Sequence, residues 1–493
     1  MPSYNTNNSR NVEIYYSRDK KHWEQLFSQN NVYEDYESDN GIFVQLGEVG
    51  DRVYFRGKCD EFYTSTGPTG YIFGGTGKYA TGGNPKSLYS FNCNIDTWDG
   101  MFESLFNSNF CPYIPVPGSN ATFQSPLVDA SQLVMPTELT KDCFQGMFES
   151  CKLLEHAPIL HEVEFVPNYA YESMFHGCSS LKSVDFSIKA TELGEYACYF
   201  MFGFSGLEEA PELDFLHTSK YCCSRMFENC KDLKEIPVFH NVDLSEYCFQ
   251  SMFQSCTSLT EITRAFPVTQ LAKWCYSSMF EYCSGLQTVS EDLLPATVLA
   301  DYCYDSMFGY SGLMVAPNLP ATVLANHCYG NMFSGSKLTA APELPATTLA
   351  NSCYYSMFSG CTSLTKAPKL PATVMERSCY MGMFKSCTSL VNAPDLPATE
   401  LAITCYEEMF KGCTSLESIR VGFTEWPPYT DVYYQQNAEG SPIWGSTAGW
   451  FTSAKNATTC KIYKPAALET KRGNSYIPSK WEVYNLQDLD ANI

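Results

Sequence analysis

Cysteine is the residue type whose chemistry this sequence offers most often, with 23 among 493 residues, and its spacing is regular. Cys143, Cys248, Cys275, Cys303, Cys328, Cys353, Cys379 and Cys405 each stand four residues before the methionine of a Met-Phe pair. Cys151, Cys178, Cys230, Cys256, Cys283, Cys361, Cys387 and Cys413 stand four after it. Thiols so placed could bridge, hold a metal or pack. On one helix, two cysteines eight residues apart are separated by about 12 Å, too far for a disulfide. Closed zinc sites use short Cys-x-x-Cys knuckles, which are absent, and histidine is scarce. Ser205, Ser311 and Ser336 replace the second thiol in some copies. The columns therefore read as buried thiols, with disulfides between neighbouring coils as the other reading.

The remaining chemistry is thin. His22, His156, His161, His176, His217, His240 and His327 occupy unrelated repeat positions and form no column. His156, His161 and His176 cluster near Glu155, Glu162 and Glu164, which reads as solvent-facing variation. "GGTGKYATGG" has the Gly77-Lys78 of a phosphate loop, but Ile72 stands where its first glycine belongs and Tyr79 where a Ser or Thr belongs. A hairpin loop is the better reading. No carboxylate spacing singles out an acid and a base, and no EF-hand loop is present. No catalytic residue, metal ligand or cofactor is expected.

The element that positions the cysteines is a repeat. Met-Phe recurs at Met147, Met174, Met201, Met226, Met252, Met279, Met307, Met332, Met357, Met383 and Met409, in steps of 25 to 28 residues, with a degenerate copy at Met101. A fixed period of this length means stacked coils. In "LANSCYYSMFSGC", Leu349, Cys353, Met357 and Cys361 fall four apart with Tyr354 and Phe358 beside them, which predicts a short helix with one buried face. "CTSL" turns the chain. "LTKAPKL" is too short for a helix and predicts an extended segment with Pro368 at its end.

The phrase "MFSGCTSLTKAPKLPATVMERSCYMGMF" (357–384) and its copies resemble the BspA-like leucine-rich repeats of gut Bacteroidales surface proteins and of phages infecting such hosts. "VEIYYSRDKKHWEQL" and "YKPAALETKRGNSYIPSKWEVYNL" are similar to segments that flank such arrays. The resemblance implies an α/β repeat: a leucine-rich-repeat solenoid of about eleven units over residues 96–420, regular from about 140. Alternation in "VEIYYS", "IFVQLG" and "RVYFRG" predicts a small N-terminal β-sandwich-like module over residues 1–95. Residues 421–493 carry Trp426, Trp444, Trp450 and Trp481 and read as an aromatic-rich C-terminal cap, with a sugar-stacking platform as the alternative.

Composition limits the function. With 44% hydrophobic and 17% charged residues the chain is globular, and a net charge of −22 without a dense Lys/Arg run disfavours nucleic acid and anionic membranes. No stretch is long and apolar enough to insert in a membrane, and the first residues lack the apolar core of a secretory signal. A non-enzymatic binding and structural protein is expected: a phage virion component, assembled in host cytoplasm, or alternatively a bacterial cell-surface adhesin. Its partners would be other virion proteins or a host surface protein or glycan, with homo-oligomerisation through the N-terminal module. Two sets of residues vary between fixed neighbours. One lies inside the expected helix, as at Asp305-Ser306, Gly330-Asn331, Tyr355-Ser356 and Glu407-Glu408, and helical geometry would turn it away from the core. The other, Asn318, Glu343, Lys369 and Asp395, lies beside the strand, and recognition is placed there because solenoids bind through an extended surface.

Overall fold

The computed structural model describes residues 11–30, 52, 54–59, 79–83, 102, 104–107, 127–240, 242–426, 446–452, 460–473 and 476–487. Contacts divide the chain into two units, Met1–Phe215 and Leu216–Ile493.

The helix expected at 349–361 is replaced by a run of overlapping four-residue turns. The N–H groups of Cys353, Tyr355, Met357, Ser359 and Cys361 each donate to the carbonyl three residues back, at 3.0–3.3 Å. The alternate N–H groups, of Ser352, Tyr354, Ser356, Phe358 and Gly360, donate to Arg377, Cys379, Met381, Met383 and Lys385 of the next coil, at 2.7–3.0 Å. Every backbone donor from Ser352 to Cys361 is thus satisfied. A helix would spend all of them internally and leave none to join the coils. The same pattern recurs at the other copies, and among the described residues between 102 and 452 no helix forms, so the α/β expectation is corrected to strands and turns. Apolar residues four apart suit both structures, because a helix drifts only about 40° over four residues.

The turns require a left-handed residue at every fourth position. Ser352, Ser356 and Gly360 have φ of 54°, 49° and 74°, and Tyr302, Ser306 and Tyr310 have 56°, 56° and 53°. A non-glycine residue there costs about 1–2 kcal/mol, offset by the bonds to the next coil and by what the turns bury. Between the left-handed residues the side chains alternate in pairs: Cys353-Tyr354 and Met357-Phe358 point inward, while Tyr355-Ser356 and Ser359-Gly360 are half-buried. The variable pairs are therefore not free helix faces. Ser277, Gly330 and Glu407 are buried, and their followers Ser278, Asn331 and Glu408 are the left-handed residues.

Inward pairs become columns. In the second unit the Phe rings of Phe227, Phe253, Phe280, Phe308, Phe333, Phe358, Phe384 and Phe410 stack face to face, neighbouring centroids lying 5.4–5.8 Å apart. A parallel column runs through Tyr276, Tyr304, Tyr329, Tyr354, Tyr380 and Tyr406 at 5.6–6.1 Å. All these rings are buried, and each stacked pair adds about 0.5–1.5 kcal/mol to the burial itself. In the first unit Phe106, Phe148, Phe175 and Phe202 stack in the same way.

The extended segments form parallel ladders of one or a few residues per coil. Lys366 bridges Ala340 and Asn392, and Asn392 bridges Ser418, as "LTKAPKL" leads one to expect. A second ladder links Val298, Val323 and Thr348. In the first unit Asn11–Ser17 lies between Glu24–Asn30 and Tyr54–Cys59 in an antiparallel sheet, while Tyr79–Gly83 pairs in parallel with Leu127–Leu133. The segment "IFVQLG" lies outside the described residues, as do residues 74–78 of "GGTGKYATGG", whose second half is the Tyr79–Gly83 strand and not the hairpin loop expected. The degenerate copy at Met101 is a true rung, since Phe102, Ser104 and Phe106 donate to Cys143, Gln145 and Met147. At the other end Tyr406, Glu408 and Phe410 donate to Ser446, Ala448 and Trp450, and Phe451 extends the Phe column.

Candidate binding surfaces

The four strand-side residues come together in the second unit. In 318–322, 343–347, 369–373 and 395–399 exposure alternates strictly: the variable residue, the proline and the threonine face out, while the leucine and alanine between them are buried. Asn318, Glu343, Lys369 and Asp395 thus form one outward column on successive coils, beside a column of Pro320, Pro345, Pro371 and Pro397 and one of Thr322, Thr347, Thr373 and Thr399. Leu396 pairs in parallel with Val421, which places Arg420 next in the first column. Its Nε lies 3.9 Å from Asp395 Oδ1, and its guanidinium lies 5.9 Å from the centre of the Tyr463 ring. Arg420 was not found from sequence because its coil reads "IRVGFTEW" and lacks the Pro-Ala-Thr phrase.

A second surface column was not foreseen. Tyr221, Tyr247, Trp274, Tyr302 and His327 all occupy left-handed positions, are half-buried, and stack in series at 4.5, 5.6, 3.9 and 4.6 Å. Lys220 lies over Tyr221 and Tyr247, and Lys273 over Tyr302. His327, which seemed to belong to no column, is the last ring of this one. Burial holds its imidazole below the ordinary value, against the opposing charge of Asp301. Ring faces here are taken up by neighbouring rings, so the column offers edges rather than a flat stacking platform.

Other candidate groups are used internally. His156 and His161 are exposed as expected, but His176 is half-buried, with Nδ1 3.5 Å from Glu149 Oε1 and its ring against Phe200. Trp426, Trp450 and Trp481 are buried, and Trp450 Nε1 donates to the Tyr476 carbonyl at 2.8 Å. Trp444 lies outside the described residues. Burial pushes Asp305 up to about 7, with the Glu281 charge adding to it and hydrogen bonds from Ser306 and Asn331 opposing. Among the described residues no three His, Cys, Asp or Glu side chains group as metal ligands, and no helix is long and apolar enough to cross a membrane.

The described cysteines, from Cys143 to Cys460, are buried and unbridged. The second thiol column is more than filler. Cys361, Cys387 and Cys413 donate to the Phe333, Phe358 and Phe384 carbonyls of the preceding coil, at 3.0–3.1 Å. Serine in this place donates within its own coil instead: Ser311 Oγ bonds the Phe308 carbonyl at 2.8 Å. Burial pushes Cys283, Cys303 and Cys413 up to about 12 and Cys361 up to about 11. The reactive thiolate is accordingly scarce at neutral pH. We expect the folded protein to resist alkylation at pH 8, nearly all 23 cysteines to titrate after anaerobic denaturation, and reductant to leave Tm unchanged. A large fall in Tm on mild reduction would show that the columns are stapled.

A family model described as a BspA type leucine rich repeat region matches residues 172–307 and 315–428, in six copies. Comparison with curated proteins gives no match, and neither does comparison with solved structures.

Proposed function

The chain belongs to the BspA-type leucine-rich repeat family, and from that premise we propose that it is a non-enzymatic scaffold that binds other proteins through its repeats. We take the repeats to form a solenoid of about eleven units, with residues 1–95 as an attachment module and 421–493 as a cap. The observation that carries the reading is the outward column Asn318, Glu343, Lys369, Asp395. Its residues change from coil to coil while the Pro before and the buried Leu after each of them do not. Packing constrains the frame and leaves this column open to selection by a partner. In its finer form the proposal is a phage virion component that engages a host surface protein or glycan. Unbridged buried thiols support folding in a reducing cytoplasm, where such a component assembles.

The test is binding of the purified chain to a panel of gut Bacteroidales cells. The double variant K369E/D395K should bind roughly tenfold more weakly, a loss of about 1.4 kcal/mol, with Tm unchanged. Unchanged binding, lost only on deleting residues 1–95 or 421–493, would make the repeats a spacer and overturn the reading.

A further inference from the structure

The outward column is also complementary to itself. Along successive coils it reads Glu343, Lys369, Asp395, Arg420, so its charge alternates minus, plus, minus, plus. All four are exposed, and so are Pro345, Pro371 and Pro397 and Thr347, Thr373 and Thr399 beside them. Asp395 and Arg420 are paired only loosely, at 3.9 Å with side chains 69% and 53% exposed, an arrangement easily exchanged for another partner.

We propose that this face is an interface between two copies of the chain, related by a two-fold axis that runs along the strands midway between the Lys369 and Asp395 coils. The inference deepens the proposed function by naming a partner for the same face. Such an axis keeps each column opposite its own kind and reverses the order of the coils. Lys369 then meets Asp395 of the second copy, and Glu343 meets Arg420 of the second copy. Each pair occurs twice, as an isologous contact requires. Proline meets proline and threonine meets threonine, so no charge is buried against an apolar surface. With the axis turned along the stacking direction and passing over the charged column, the coils would align in equal order, and all four charges would face their own sign. Electrostatics therefore selects one orientation. Four coils at about 4.8 Å and five residues at about 3.3 Å give a footprint of roughly 300–400 Å2 per copy. That is below the roughly 800 Å2 of a stable dimer, so the association is weak and salt-sensitive.

Sedimentation equilibrium of the full chain over a concentration series at low ionic strength tests this. The wild type should shift toward dimer, and the shift should weaken with salt. K369E and D395K alone each set like charges opposite one another twice, and each should lower the association constant by roughly tenfold or more. Mixed in equal amounts, the two variants should associate as the wild type does. The new carboxylate of one faces the new ammonium of the other, and the unaltered Asp395 and Lys369 face each other. The double variant K369E/D395K should dimerise normally for the same reason. Its loss of cell binding is therefore a separate result from its self-association. A wild type that stays monomeric, a K369E variant that still dimerises, or single variants that fail to rescue each other on mixing would each overturn the proposal. Cell binding lost in the double variant of a monomeric protein would keep the proposed function and discard the two-fold interface.

Discussion

Truncating Phe358 to alanine is expected to lower the stability of its unit by about 3–5 kcal/mol, a large fraction of what holds a domain folded. The ring is wholly buried and lies between Phe333 and Phe384, with centroids at 5.8 and 5.7 Å. Its removal leaves a gap bounded above and below by rings fixed to their own coils. Those coils cannot close in, because the Phe333 N–H is bonded to Met357 and the Phe358 N–H to Met383. The cavity therefore stays open, and its full cost is felt. Phe358→Leu fills part of it and should lose about half as much. Denaturant unfolding of the full chain measures both, and a loss below about 1 kcal/mol for the alanine would mean that the column does not carry the packing.

Ser356→Pro is expected to cost about 3 kcal/mol or more, by a different route. Ser356 has φ of 49°, which the pyrrolidine ring cannot adopt, and its N–H donates to the Met381 carbonyl at 2.8 Å. Proline removes the donor and forces the turn open. The neighbouring bonds from Tyr354 to Cys379 and from Phe358 to Met383 should loosen with it, since stacked repeats share stability with their neighbours. Hydrogen exchange at 352–361 should accelerate in the variant. Protection equal to the wild type would mean that the coil-to-coil bonds are not the ones described.

Much of this was legible in the residues. The Met-Phe period located the rungs, "LTKAPKL" located an extended ladder at Lys366, and variation at Asn318, Glu343, Lys369 and Asp395 marked positions that prove to share one exposed column. The helix was misjudged because Leu349, Cys353, Met357 and Cys361 satisfy a helical stripe as well as a run of turns. Two signals spoke for turns. Apolar residues come as adjacent pairs, Cys353-Tyr354 and Met357-Phe358, whereas a helical stripe would use the third position as well as the fourth. Residues that tolerate or favour left-handed φ also recur at the same interval, as in Ser352, Ser356 and Gly360. The column from Tyr221 to His327 was illegible for the opposite reason. Tyr and Trp are poor left-handed residues by local preference, and stacking on the next coil, as Trp274 does on Tyr302 at 3.9 Å, adds to the coil-to-coil bonds that hold them there. Arg420 needed the pairing of Leu396 with Val421, which no local phrase announces.

The central claim is that the Met-Phe segments are turns with a left-handed residue at every fourth position, and the stability of Ser356→Gly tests it most directly. Gly382 already fills the equivalent place on the next coil, with φ of 63°. In a turn run, glycine relieves about 1–2 kcal/mol of left-handed strain against about 0.5–1 kcal/mol of added freedom in the unfolded chain. Unfolding of the variant should thus show stability unchanged or raised by up to about 1.5 kcal/mol. In the interior of a helix the same substitution would lower stability by about 0.5 kcal/mol, and a loss of that size would contradict the account.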